Sequence, residues 1–185
     1  MDNNFFNIQL GLHGSWCNNW PEISIDINDQ NYWHGFVETD QQINLKFIPE
    51  LNNVLRIDYL NKRNGPDTWD TQIDNETIIK DQYCILTTLK IQQSKCDWLI
   101  PSLQYTYLDN SSKFTHGFMD QKGYFSIKFP MDLYPWVATQ RQSYLNPVSR
   151  NSSLSYENLY IPDSDNQGIK NLVNDIKKII ETFDD

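Results

Sequence analysis

The sequence predicts a mainly β protein: an antiparallel, jelly-roll-like β-sandwich followed by a C-terminal arm and an amphipathic helix. Three observations support this fold class. Short runs alternate apolar and polar side chains, as strands with one buried face do. Clusters of turn-forming residues separate these runs. Alanine, the best helix former, occurs once in 185 residues, at Ala138.

The alternating runs define the predicted strands, each with one buried and one solvated face. The runs lie at residues 6–12, 23–27, 43–47, 55–59, 83–91, 103–107 and 125–129. The segments NDQN (28–31), DNSS (109–112) and DQKG (120–123) are predicted turns. Short strands at this spacing, without helical patterns between them, are typical of a β-sandwich.

The chain is predicted to divide into a sandwich domain (1–142), an extended arm (143–164) and an amphipathic helix (165–185). Its length suits one domain with a sizeable core and is too short for two. Apolar residues recur at helical spacing near the C-terminus. They are Ile169, Leu172, Val173, Ile176, Ile179, Ile180 and Phe183. This stripe needs a cover, which is either the chain's own sandwich or a neighbouring subunit reached by the arm.

Charge and cysteine content narrow the function classes. The formal net charge of −9 argues against binding to nucleic acid or anionic lipid. The N-terminus has no basic segment and no long apolar run, so we expect neither a signal peptide nor a membrane span. Cys17, Cys84 and Cys96 form no CxxC motif, which indicates reduced, buried thiols. A bridge between Cys84 and Cys96 is the alternative.

The sequence contains no motif of a known catalytic site. It has no GxSxG, Walker, GxGxxG or HExxH pattern. His13, His34 and His116 lie far apart, without the spacing of metal ligands. The acidic residues lie in polar segments rather than inside apolar runs, where a carboxyl pKa would rise. We therefore predict that the protein is not an enzyme.

One segment, NGPDTWDTQID at 64–74, combines carboxylates with a tryptophan. Asp67, Asp70 and Asp74 are candidate ligands for Ca²⁺, because hard cations take carboxylate and carbonyl oxygens from loops. The alternative is a solvated acidic loop in which the Asp side chains make local turns. Trp69, together with Asp67, is a candidate glycan contact, because an indole ring stacks on sugar faces. The other five tryptophans are expected to fill the core.

Two stretches carry a resemblance to known proteins: LHGSWCNNWPEISIDINDQNYWHG at 12–35 and NVLRIDYLNKRNGPDTWDTQIDNETIIKDQYCILTTLKI at 53–91. In the order of their elements they resemble a β-sandwich module that recurs in marine bacteriophage proteins. They resemble, more distantly, the calcium-dependent xylan-binding carbohydrate-binding modules. The likeness covers residues 5 to about 137, with the module's closing strands implied at 116–136. It implies a non-catalytic sandwich, with Asp67 at the position of a family calcium ligand.

The sequence leads to two functional hypotheses. The first is a bacteriophage virion-associated structural or decoration protein whose arm and helix contact a neighbouring subunit. The alternative is a soluble, calcium-dependent glycan-binding module. The expected partners are other virion proteins, a second copy of the chain or a host-surface glycan, and Ca²⁺ is the candidate cofactor. We expect the protein in the virion, or in the host cytoplasm during assembly.

Overall fold

The computed structural model describes residues 5–63, 70–74 and 77–145. Its strands are β1 (Phe6–Ser15), β2 (Glu22–Ile27), β3 (Gln30–Phe36), β4 (Asp40–Phe47), β5 (Asn52–Tyr59), β6 (Thr71–Asp74), β7 (Thr77–Asp81), β8 (Tyr83–Ile91), β9 (Ser94–Lys95), β10 (Gln104–Tyr107), β11 (Ser112–Phe114), β12 (Phe118–Met119) and β13 (Gly123–Pro130). A 3-10 helix lies at Asp97–Ser102, and an α-helix, α1, lies at Leu133–Leu145.

The strands form two antiparallel sheets and a separate hairpin. Sheet A has the order β12-β8-β1-β4, with β9 also paired to β8. Sheet B has the order β11-β10-β13-β5-β2-β3, and β6 pairs with β7 in the hairpin. The predicted mainly β, antiparallel sandwich is confirmed.

The core lies between sheets A and B. Leu10 of sheet A and Ile57 and Phe125 of sheet B are fully buried in one apolar cluster. The rings of Phe47 in β4 and Phe129 in β13 meet edge to face at 6.3 Å, which joins the two sheets. Fully burying one such side chain contributes about 1.5–3 kcal/mol. The alternation that predicted the strands therefore also supplies much of their stability.

The predicted alternating runs coincide with β1, β2, β4, β5, β8, β10 and β13. The turn after β2 places Asn28 and Asp29 at φ 52° and 62°, the left-handed region that Asn and Asp tolerate in tight hairpins. Strand β3 was not predicted. Its side chains are exposed or half-buried, and its pairing with β2 shifts register between Ile25 and Asp26, so it shows no clean alternation.

Helix α1 follows the last strand, where the resemblance implied closing strands at 116–136. That expectation is wrong for the last part of the range. Asp132 precedes the helix and Pro135 lies in its first turn, where both residue types favour a helix start. The ring of Trp136 packs 6.3 Å from that of Phe129, so contact with sheet B stabilises a segment whose own apolar periodicity is weak.

The predicted C-terminal helix and its apolar stripe lie outside the described residues, as does most of the predicted arm. Helix α1 extends through residues 143–145 of the stretch predicted to be arm. The division into sandwich, arm and helix stays a prediction. No helix in the described ranges is long and apolar enough to cross a membrane.

Candidate functional site

The acidic segment leads into the β6–β7 hairpin, and side-chain and backbone hydrogen bonds join the polar residues at the base of this hairpin into one network. We call this network the hairpin root; it consists of Lys62, Asp70, Thr71, Asp81 and Gln82. Lys62, Asp70 and Gln82 are buried. Buried polar groups need hydrogen-bond partners, and here they find them in one another and in their neighbours.

Arg63 satisfies the carboxylate of Asp70. Its backbone N–H donates to Oδ2 of Asp70 at 2.7 Å, while Nε and Nη2 of the guanidinium donate to Oδ2 and Oδ1 at 3.1 Å each. Burial by itself would raise the pKa of Asp70, but the hydrogen bonds and positive charge of Arg63 bring it below its ordinary value. Both oxygens are therefore committed within the protein.

Lys62 and Asp81 form the second ion pair of the hairpin root. Nζ of Lys62 donates to Oδ1 of Asp81 at 2.5 Å and to the carbonyl of Gln82 at 2.6 Å. Oγ1 of Thr71 donates to the same Asp81 oxygen at 2.5 Å. The amide oxygen of Gln82 accepts from the Tyr59 hydroxyl at 3.1 Å, which ties the hairpin to sheet B.

The described carboxylates of the hairpin root do not fit a calcium site. Calcium takes several oxygen ligands, but both carboxylate oxygens of Asp70 and Oδ1 of Asp81 already accept hydrogen bonds from cationic or hydroxyl groups. Across the described residues, no three His, Cys, Asp or Glu side chains are grouped to hold a metal ion. Asp67, Trp69 and the side chain of Asp74 lie outside the described part of the chain. The calcium and glycan predictions for 64–74 therefore stay predictions.

Trp16 is an exposed tryptophan near the hairpin. It directly follows β1, its side chain is 40% exposed, and the ammonium group of Lys80 lies 3.9 Å from the centre of its ring. The sequence predicted a core position for this residue. The structure differs because the chain leaves sheet A after Ser15, so the next side chain no longer follows the alternation of the strand.

The cysteines serve packing. All three are buried and none of them forms a disulfide, as predicted. Burial raises the pKa of Cys84 to about 12 and that of Cys96 to about 11, so both thiols are protonated at neutral pH and are poor nucleophiles. In the described part of the chain, neither of these two thiols is paired with His13, whose ring contacts the surface carboxylate of Asp40 at 2.8 Å.

The outer surface of sheet A carries a polar depression of about 250 Å³. We call the six polar side chains that line it the amide face. They are Asn7, Gln9, Asn44, Lys46, Lys90 and Gln92. The strand alternation places them there, because the residues between them in β1, β4 and β8 point into the core.

Hydrogen bonds between side chains order the amide face. Nε2 of Gln9 donates to Oδ1 of Asn44 at 2.9 Å. Oε1 of Gln92 accepts from the backbone and side chain of Asn7 at 3.2 and 3.4 Å, and its Nε2 donates to the carbonyl of Phe5 at 3.1 Å. Within the described residues, Oε1 of Gln9 and Nδ2 of Asn44 make no hydrogen bond. The face therefore offers both an acceptor and a donor to a ligand.

Aromatic rings occupy the opposite end of the same surface. The rings of Tyr83 and Phe118 lie 4.9 Å apart, and the ring of His13 lies 6.4 Å from that of Tyr83. Between the rings and the amide face, Gly11 keeps the surface low. A Cβ atom there would lie 2.5 Å from Oγ1 of Thr88. Sheet A thus presents polar groups and apolar rings along one surface, a combination typical of ligand sites.

The outer surface of sheet B differs, because several of its charged groups pair with one another. Arg56 donates to both oxygens of Asp58 at 2.7–3.0 Å and lies 3.8 Å from the centre of the Tyr124 ring. Asn31 donates to Asp26 at 2.7 Å. A depression of about 180 Å³ lies beside Arg56, Asp58 and Tyr124, and the charged groups of Arg56 and Asp58 are already paired with each other.

Motif searching missed the amide face because amides belong to no catalytic or metal-binding pattern. A signal was nevertheless present in the predicted strands. Their outward positions in what became sheet A include Asn, Gln, Thr and Lys. Among the five strands of sheet A, Asp40 is the one carboxylate, against Lys46, Lys90 and Lys95. Strand pairing decides which of these strands share a sheet, so the face itself emerges only in the structure.

No family model and no curated protein matches the chain. Two solved structures are similar to it. One is described as vCBM60 in complex with galactobiose, with 12% identity, a TM-score of 0.42, and coverage of 65% of this chain and 95% of the other. The second, a selenomethionine form of vCBM60 from work on two families of calcium-dependent carbohydrate-binding modules, has 10% identity and a TM-score of 0.43, covering 65% and 88%. Both are carbohydrate-binding modules, and at these TM-scores neither assigns a ligand or a site to this chain.

Proposed function

We propose that the protein is a non-catalytic glycan-binding domain whose ligand lies on the outer surface of sheet A, across the amide face. One observation carries this proposal. Six amide and lysine side chains from β1, β4, β8 and the turn after β8 line one open depression of about 250 Å³. Its volume and its open shape suit one sugar residue of a longer chain better than a small molecule, which usually binds in an enclosed pocket.

The chemistry of the amide face suits a sugar. Sugar hydroxyls both donate and accept hydrogen bonds, and the amides of Gln9 and Asn44 offer both functions. The rings of Tyr83 and Phe118, on the same surface, provide apolar area against which a sugar ring packs. Because paired strands and amide hydrogen bonds already order these groups, binding costs little side-chain entropy.

The same surface lacks the groups that would cleave a glycan. Glycoside hydrolysis uses two carboxylates on either side of the scissile bond. Among the described strands of sheet A, Asp40 is the one carboxylate, and it pairs with His13 at 2.8 Å. Binding without cleavage is therefore the activity that this surface supports.

Migration through native gels that contain polysaccharide tests the proposal. The gels contain xylan, dextran, dextran sulfate, polygalacturonate or no polysaccharide, each with Ca²⁺ and with a chelator. We expect at least one polysaccharide to retard the wild-type chain. We expect the double variant Gln9→Ala, Asn44→Ala to migrate there as it does without polysaccharide, since exposed amides contribute little to folding.

Asn31→Ala is the matched control, because it removes an exposed, hydrogen-bonded amide from sheet B. It should be retarded like the wild type. The proposal fails if no polysaccharide retards the wild type, or if the double variant is retarded equally. Retardation that needs Ca²⁺ and survives the double variant would instead favour the segment 64–74, with Asp67 and Trp69.

The sequence favours a second function, that of a virion-associated protein. The apolar stripe at 169–183, preceded by a polar stretch, supports it, because such a stripe needs a cover. The partners in that role are other virion proteins or a second copy of the chain, in the virion or in the host cytoplasm during assembly. The two functions are compatible if the virion carries the domain to a glycan on the host surface.

A further inference from the structure

We infer that the ligand of the amide face is an anionic polysaccharide, a chain with repeated carboxylate or sulfate groups. This inference rests on the proposed glycan-binding function and adds the class of glycan. It comes from the charge of sheet A, the spacing of its lysines and their lack of acidic partners.

Charge is distributed unevenly over the molecule. The whole chain has a formal net charge of −9. The strands of sheet A nevertheless hold three lysines, Lys46, Lys90 and Lys95, and one carboxylate, Asp40. Asp40 lies opposite His13, at the far end of the surface from the amide face. An acidic protein that collects cations on one surface favours anionic partners there.

The strand register spreads these lysines over the surface. Lys95, Lys90, Gln9 and Asn44 are successive cross-strand partners in one row, and Lys46 lies opposite Asn7 in the next row. With strands about 4.8 Å apart and a rise of about 3.4 Å per residue, the Cα atoms of Lys46 and Lys90 are roughly 12 Å apart. At this separation, a single phosphate or carboxylate would not form close ion pairs with both ammonium groups. An extended chain with repeated charges would.

The lysines are also free of acidic partners in the described structure. Neither Lys46, Lys90 nor Lys95 forms an ion pair with a described residue. The ammonium of Lys46 lies 4.3 Å from the centre of the Phe5 ring, a contact that leaves its hydrogen-bond donors for a ligand. A carboxylate or sulfate beside these amines would gain charge-assisted hydrogen bonds.

Nucleic acid is the other polyanion to consider. Three lysines on a chain with a net charge of −9 form a small basic patch for phosphate-backbone binding, which depends on many cationic contacts. The amides and the rings of Tyr83 and Phe118 also provide for sugar hydroxyls and ring faces. The surface therefore favours a charged glycan.

Paired probes test the inference on the full chain. Dextran sulfate and dextran differ in sulfate groups, while polygalacturonate and xylan represent carboxylated and largely neutral chains. We expect the wild type to bind a charged probe at least about tenfold more tightly than the neutral one, and less tightly at higher salt. The double variant Lys46→Gln, Lys90→Gln should lose about tenfold in affinity for that charged probe.

The control variant is Lys113→Gln, Lys128→Gln, which makes the same charge change on exposed positions of sheet B. It should bind like the wild type. Equal affinity for charged and neutral probes would overturn the inference and leave the proposed function standing, whereas absence of binding to all four would overturn both. Equal losses in the two double variants, or equally tight binding of single-stranded DNA, would also overturn it.

Discussion

The hairpin root and the amide face use lysine in opposite ways. In the hairpin root, the side chain of Lys62 is 6% exposed and donates to Asp81 and to the carbonyl of Gln82. In the amide face, Lys46 and Lys90 reach the surface beside amides and have no carboxylate partner among the described residues. A buried ion is tolerated only with close partners, while a surface ion needs none. The surroundings of a lysine, rather than its identity, therefore indicate whether it supports the fold or a ligand.

The same contrast applies to the acidic segment. Its carboxylates suggested a site in the sequence, yet Asp70 serves as the internal partner of Arg63. The described end of that segment therefore stabilises the base of the β6–β7 hairpin. The outer surface of sheet A, which carries no recognisable motif, leaves its polar groups accessible.

The largest expected effect comes from Lys62→Met. Removing one member of a buried ion pair leaves the carboxylate of Asp81 without its cation, which costs about 3 kcal/mol. For a domain of this size, that loss lowers Tm by about 10 °C. Thermal unfolding followed by circular dichroism measures the change.

Lys90→Met is the matched control, because it makes the same chemical change in the amide face and should alter stability by less than about 0.5 kcal/mol. Similar losses in both variants would remove the distinction between the two regions.

A smaller, pH-dependent effect is expected for Asp70→Asn. The pKa of folded Asp70 lies below its ordinary value of about 3.9, so the ionised group contributes stability above that pH. This contribution is lost as the pH falls through the folded pKa. The variant should therefore have a lower Tm than the wild type at pH 7, and the gap should close below about pH 4. The effect is smaller than for Lys62→Met because Arg63 is 56% exposed to screening water.

Thermal unfolding of both proteins from pH 7 to pH 2 measures this gap. Asp109→Asn is the comparison variant. It removes another carboxyl whose pKa is lowered, here by hydrogen bonds from Ser111 in an exposed turn and not by a buried ion pair. A gap between Asp70→Asn and the wild type that stays constant with pH would show that the variant acts through packing rather than through the charge of Asp70.

The sequence predicted the parts of the fold that follow from local alternation. Strands such as β1 and β2 bury every second side chain, so their patterns survive in the sequence. Strand β3 and helix α1 were missed because tertiary contacts decide them. Strand β3 pairs with β2 through a register shift, and Trp136 of α1 packs on Phe129.

The candidate site could be predicted only in part, because cross-strand proximity is a property of topology. Gln9 and Lys90 are far apart in sequence and become neighbours when β1 pairs with β8. The partner of Asp70 also depends on the backbone, since the N–H and guanidinium of Arg63 reach the same carboxylate. Residue types alone suggested a metal ligand.

Chemical-shift mapping of backbone amides tests the central claim most directly. The ¹⁵N-labelled full chain is titrated with short fragments of whichever polysaccharide retards it in the gel. We predict that the largest shifts fall on the outward residues of β1, β4 and β8, around Gln9, Asn44 and Lys90, while Lys62 and Gln82 of the hairpin root stay unchanged. Shifts concentrated on β6, β7 and Trp16, or on the outer surface of sheet B, with sheet A silent, would contradict the account.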